Sequence, residues 1–100
     1  MALRANLIVI YTGRVEECRA FYGSLGLDFR PEQHGDGPRH YAAVLDDGLV
    51  VELYPAAPDR RTGRLRLGFE VDGLQGLKAG SHVLEDPDGR AVEVLVRDAH

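Results

Sequence analysis

The chain has no tryptophan, one methionine, one cysteine and one lysine, and most of these shortages exclude something. With Cys18 alone, no internal disulfide framework can form, a usage that fits a reducing, cytoplasmic compartment. Lys78 is the only lysine, and a net charge of −4 supplies no basic face for a nucleic acid. The nearest approach to a basic cluster, Arg60, Arg61, Arg64 and Arg66, reads as a solvated linker followed by one strand. No apolar run approaches the roughly 20 residues that span a bilayer, so no membrane partner is expected. The start, Met1 to Asn6, leads straight into a strand and does not read as a signal peptide. At 100 residues the chain suits a single domain, 1–100, with a thin core.

What is present alternates between two periods. Asn6 to Tyr11 is short, β-branched and nearly all apolar, the pattern of a strand buried on both faces. Thr12 is placed to cap a helix, and Val15, Cys18, Phe21, Tyr22 and Leu25 then follow at helical spacing. Glu16 and Glu17 occupy the first turn, where the helix dipole favours them, and Gly26 ends the helix. Strands are expected over Leu27–Arg30, His40–Leu45 and Leu49–Tyr54, with turns at Gly35-Asp36-Gly37-Pro38 and Asp46-Asp47-Gly48. The segment 56–63, rich in proline and without periodicity, is a linker between module one, 5–55, and module two, 64–97. Module two repeats the order in reduced form: a strand from Arg64 to Val71, about two helical turns over Leu74–Ala79, and strands over Ser81–Glu85 and Arg90–Val96. The last two are joined by Asp86-Pro87-Asp88-Gly89, which suits a type I turn with a bulge.

Arg19-Ala20-Phe21-Tyr22 closing a helix at Leu25-Gly26-Leu27, then Val51-Glu52-Leu53-Tyr54-Pro55, Leu67-Gly68-Phe69-Glu70-Val71-Asp72, and Asp86-Pro87-Asp88-Gly89 before Val92-Glu93-Val94, together resemble the vicinal oxygen chelate superfamily. Its members include glyoxalase I, extradiol dioxygenases, fosfomycin-modifying enzymes and bleomycin-binding resistance proteins. The resemblance runs over nearly the whole chain and implies an α+β fold of paired βαβββ modules, the second shortened, forming a curved mixed sheet around a cup. It also implies a homodimer.

The enzymes of that superfamily resemble one another in a divalent metal site made by the first and last strand of each module. Matched to this sequence, the first-strand positions are Leu7 and Arg66 and the last-strand positions are Glu52 and Glu93. Both usual histidines are therefore replaced, one by a side chain without a lone pair and the other by a permanent cation. No metal and no other cofactor is expected. In such a geometry Arg66 would replace the ion, pairing with Glu52 or Glu93.

Strand alternation supplies the rest of the cup. Leu7, Val9 and Tyr11 share one face, as do Val50, Glu52 and Tyr54, while Val51 and Leu53 meet the helix. Arg64, Arg66, Gly68 and Glu70 form a third set, and Ala91, Glu93 and Leu95 a fourth. The expected ligand-binding residues are thus Val9, Tyr11, Val50, Glu52, Tyr54, Arg66, Glu93 and Leu95, an apolar wall with few placed polar groups. Glu52, Glu93 and His40 are weak catalytic candidates, the last as a general base at the rim. His34 reads as exposed beside a glycine-rich loop, His82 and His100 show no ligand spacing, and Cys18 reads as a small core residue.

Three functions follow from these residues. The first is a protein that sequesters or carries a small organic molecule, aromatic or antibiotic-like. The second is a glyoxalase- or dioxygenase-like enzyme with an unusual or absent metal site. The third is a divergent dimer whose cup is filled by its own side chains.

Overall fold

The structure, a computed structural model, describes residues 2–98. Met1, Ala99 and His100 lie outside the described residues, and with them the reading of His100. Among the described residues the chain is α+β, with one helix and seven strands in two mixed sheets. It divides into two compact units, Met1–Thr62 and Gly63–His100.

The first unit contains β1 (Leu7–Thr12), α1 (Val15–Ser24), β2 (Arg30–Glu32), β3 (His40–Val44) and β4 (Val50–Pro55). The sheet order is β1-β4-β3-β2, with β1 parallel to β4 and the other pairs antiparallel. The single parallel pair follows from the helix, which carries the chain back over the sheet between β1 and β2. α1 packs on β4, and Cys18, Tyr22 and Leu25 are buried there with Ile10, Val51 and Leu53. The helix ends in a Schellman motif: Leu27 N–H donates to Tyr22 O at 3.2 Å and Gly26 N–H to Gly23 O at 3.0 Å. At the other end, Thr12 does not cap. Arg14 is the N-cap residue, and the Thr12 hydroxyl instead accepts from Arg14 N–H at 2.9 Å, fixing the strand-to-helix corner two residues early.

β1 is not buried on both faces. Ile10 and Thr12 are fully buried, but Leu7 is 52% exposed and Tyr11 43%. The strand lies at a sheet edge with only β4 beside it, so its apolar run leaves one side uncovered.

The second unit contains β5 (Arg66–Val71), β6 (Gly80–Glu85) and β7 (Ala91–Val96) in the order β5-β7-β6. Leu67, Val92, Val94 and Val96 form its buried face. The two helical turns expected over Leu74–Ala79 are absent. Gly76 has φ 90° and Gly73 φ 87°, left-handed values that interrupt a helix, and the segment closes a tight turn with a Leu74–Leu77 bridge instead. The helical spacing of Leu74, Leu77 and Lys78 was too short a run to prevail over those glycines.

Both hairpins that flank central strands use one construction. In each, a glycine N–H closes a turn three residues back, Gly48 to Leu45 O at 2.9 Å and Gly89 to Asp86 O at 2.8 Å. Both glycines then take a positive φ as a bulge, as the turn sequences predict. The second hairpin is reinforced by Arg90, a residue the sequence reading passed over. Its guanidinium donates to Asp86 Oδ2 at 3.0 Å, Asp88 Oδ2 at 2.9 Å and Gly63 O at 3.2 Å, and both Arg90 and Asp86 are buried. Burial opposes the Arg90 charge, but the hydrogen bond and charge of Asp86 outweigh it and raise the guanidinium above its usual value.

Candidate functional site

The face of the first sheet opposite α1 collects the unusual side chains. The β1–β4 register sets Leu7 beside Val50, Val9 beside Glu52 and Tyr11 beside Tyr54. The β3–β4 register sets Ala42 beside Glu52, and the β2–β3 register sets Glu32 beside His40. Because paired residues share a face, Tyr11, Tyr54, His40, Glu52 and Glu32 all stand on one side.

Tyr54 lies at the centre of this group. Its ring is 5.7 Å from that of Tyr11, tilted by 45°, and stacks on His40 at 4.0 Å with an interplanar angle of 12°. Desolvation raises its phenol above the free value of 10.0, with Glu52, Tyr11 and Glu32 adding to the shift. The ring is therefore neutral across the physiological range. Because the folded-state value is the higher one, the fold loses stability as pH rises from the unfolded pKa through the folded one. Tyr11 and Tyr54 line a groove of about 700 Å³ together with Pro38, Ala57, Asp59 and Arg60.

His40, expected as a candidate base at the rim, is buried, its side chain 1% exposed. Its Nδ1 lies 3.2 Å from the Pro38 carbonyl, and its Nε2 lies 3.2 Å from Glu32 Oε1 and 3.7 Å from Glu52 Oε2. His34 Nε2 stands 3.5 Å from the same Glu32 oxygen, and the two imidazoles are 5.1 Å apart. Sequence reading missed Glu32 altogether and left His34 in a loop. The turn at Gly35-Asp36-Gly37-Pro38 pointed to a hairpin, but a loop of that length leaves the register open, so the pairing of Glu32 with His40 is seen only in the folded sheet.

The second unit holds the other expected residues. Arg66 Nε–H donates to Glu93, one of the two carboxylates foreseen for it. The side chains of that pair are 61% and 54% exposed, since Arg66 and Glu93 occupy the sheet face opposite the buried valines. Glu93 and Leu95 line a smaller groove of about 250 Å³ with Gly68, Glu70, Ser81 and His82. An exposed pair of this kind contributes about 0–1 kcal/mol. Arg66→Ala is accordingly expected to shift a urea midpoint by little, and a loss above about 2 kcal/mol would contradict the exposed geometry.

The architecture has counterparts among solved structures. The chain superposes on "Oxidase ChaP-H2" with a TM-score of 0.69 at 16% identity, over 98% of this chain and 96% of that one. It superposes on TnmS3, an antibiotic binding protein from Streptomyces sp. CB03234, with a TM-score of 0.66 at 20% identity, over 98% and 99%. A third match, a glyoxylase/bleomycin resistance protein/dioxygenase domain from Frankia sp. EAN1pec, has a TM-score of 0.63 at 17% identity, over 98% and 100%. The fold is that of the vicinal oxygen chelate proteins. No protein-family model and no curated protein matches the chain.

Of the four positions matched in sequence to that superfamily's metal ligands, only Glu52 and Glu93 offer a metal donor. Leu7 has no donor atom, and Arg66 brings a guanidinium already committed to Glu93. Among the described residues, the donors that gather are Glu32, His34, His40 and Glu52, whose ligand atoms all lie within 4.8 Å of one another. Only Glu52 belongs to both sets. No described helix is long and apolar enough to cross a membrane.

Proposed function

We propose that the chain binds a planar aromatic small molecule on the helix-free face of its first sheet, with Tyr11 and Tyr54 as the stacking surface. The observation that carries this reading is the tyrosine pair lining a groove of about 700 Å³, a volume within the usual range for small-molecule sites. The Tyr54 ring is held from behind by His40, so it presents a fixed aromatic plane and loses little freedom when a ligand stacks on it. Arg60 at the groove favours an anionic substituent. A structural counterpart is described as an antibiotic binding protein, in keeping with a carrier or sequestering role. The lone cysteine supports a reducing, cytoplasmic setting.

The test uses 8-anilinonaphthalene-1-sulfonate, a planar aromatic anion, titrated calorimetrically. One saturable site is expected, weakened about tenfold in Tyr11→Ala, the equivalent of losing one stacked ring at about 1.4 kcal/mol. Equal affinity for the parent and for both Tyr11→Ala and Tyr54→Ala would remove the proposal.

The same reading takes the protein as a two-fold homodimer. Edge strand β1 carries Leu7 and Tyr11, both exposed. Apolar side chains along an open edge are the usual raw material of a symmetric contact. Light scattering at tens of micromolar is expected to give twice the chain mass of 11.0 kDa. A mass of one chain would exclude the dimer.

A further inference from the structure

We infer that Glu32, His34, His40 and Glu52 form a binding site for a borderline divalent cation, of which Zn²⁺ is the model. The site lies within one module, on three adjacent strands and the loop between two of them, and shares only Glu52 with the positions matched to the superfamily's metal ligands.

Hydrogen-bond accounting at His40 leads to this assignment. A carbonyl only accepts, so the Nδ1 that faces Pro38 O at 3.2 Å carries a hydrogen. That leaves Nε2 directed at two carboxylates, Glu32 at 3.2 Å and Glu52 at 3.7 Å. Nε2 and the two carboxylates thus converge on one gap, which a cation can fill. The backbone bond at Nδ1 is the arrangement by which ligating histidines are fixed with Nε2 toward a metal. Tyr54, stacked on the ring, fixes its plane.

The spacing is close to that of metal ligands. Donors around a tetrahedral ion with bonds of about 2.0–2.1 Å lie about 3.3 Å apart. The contacts here are 3.2 Å from His40 to Glu32, 3.5 Å from His34 to Glu32 and 3.7 Å from His40 to Glu52. The widest separation in the set is within 4.8 Å, so a shift of about 1–1.5 Å at the exposed members closes the site. His34 and Glu32 are the exposed members, with side chains 74% and 40% accessible, and they leave a path for entry. The loop bearing His34 is tied down by Gly37 N–H to His34 O at 2.9 Å and by Gln33 Nε2 to Gly37 O at 3.0 Å. Two imidazoles and two carboxylates suit Zn²⁺ and its neighbours in the first transition row, and are too soft a set for Mg²⁺ or Ca²⁺.

The chain, stripped with chelator and dialysed, is titrated with Zn²⁺ calorimetrically, and separately with Co²⁺ while following its visible absorption. One ion per chain is expected, with a tetrahedral Co²⁺ band. Glu52→Gln and His34→Ala, neither of which removes a fully buried side chain, should each weaken Zn²⁺ binding at least about tenfold, the cost of losing even an outer partner. Circular dichroism establishes that both variants fold. No Zn²⁺ uptake by the parent would overturn the site, as would uptake that both variants retain unchanged, since the ion would then sit elsewhere. None of these results depends on the aromatic ligand.

Discussion

Arg90→Ala is expected to be the most destabilising single change in the second unit, costing about 3–5 kcal/mol. Arg90 is 4% exposed and its partner Asp86 likewise 4%, so alanine would leave an ionised carboxylate buried without its counter-charge. Asp86 would keep the backbone N–H groups of Asp88 and Arg90, each at 2.9 Å, which is why the loss falls short of a fully bare charge. The change also removes the bond from Arg90 Nε to Gly63 O, the tie between the β6–β7 hairpin and the beginning of the unit. Against a total stability of about 5–15 kcal/mol for a typical domain, such a loss is a large share, and a fall in Tm of more than about 10 °C is expected at this chain length. Arg90→Lys keeps the charge and loses the fork, so it should fall between. Arg66→Ala serves as the exposed control. If both arginine variants melt alike, burial is not what separates them.

Leu53→Ala should cost about 2–5 kcal/mol, the range for opening a cavity at a fully buried leucine. Leu53 has no accessible surface and sits on β4, between β1 and β3, on the side where α1 packs. Val44→Ala, on the neighbouring strand and the opposite face, removes a side chain that is 71% exposed and should cost under about 0.5 kcal/mol. Urea unfolding followed by circular dichroism would read both. The contrast tests strand parity itself, because a one-residue slip of β4 against β3 would put Glu52 in the core and Leu53 on the face proposed for binding. A Val44→Ala loss as large as that of Leu53→Ala would mean the helix-free face is not exposed in solution.

That parity was readable from residues alone. Val51 and Leu53 alternate with Val50, Glu52 and Tyr54, and the structure buries the first pair while leaving the second set partly exposed. The helix was readable as well, because Val15, Cys18, Phe21, Tyr22 and Leu25 hold a 3.6-residue period and Gly26 stops it. What failed was short or non-local. The run from Leu74 to Ala79 carries too few residues for its period to prevail over Gly76. Glu32 and His40 meet only through an antiparallel register set by the turn between them, and no local pattern around Glu32 announces a partner eight positions away. Arg90 was hidden for a related reason. It sits where a strand begins, a position at which arginine is ordinarily solvated, and only the closed turn shows that Asp86 and Asp88 enclose it.

Cys18 has no accessible surface, and its sulfur lies 3.7 Å from the Thr12 hydroxyl beneath α1. It is also the sole cysteine. A thiol-reactive dye added to the native protein therefore meets nothing to modify until the helix lifts from β4. Its rate of attachment would time that opening in the unaltered chain, a clock that the other core residues cannot provide.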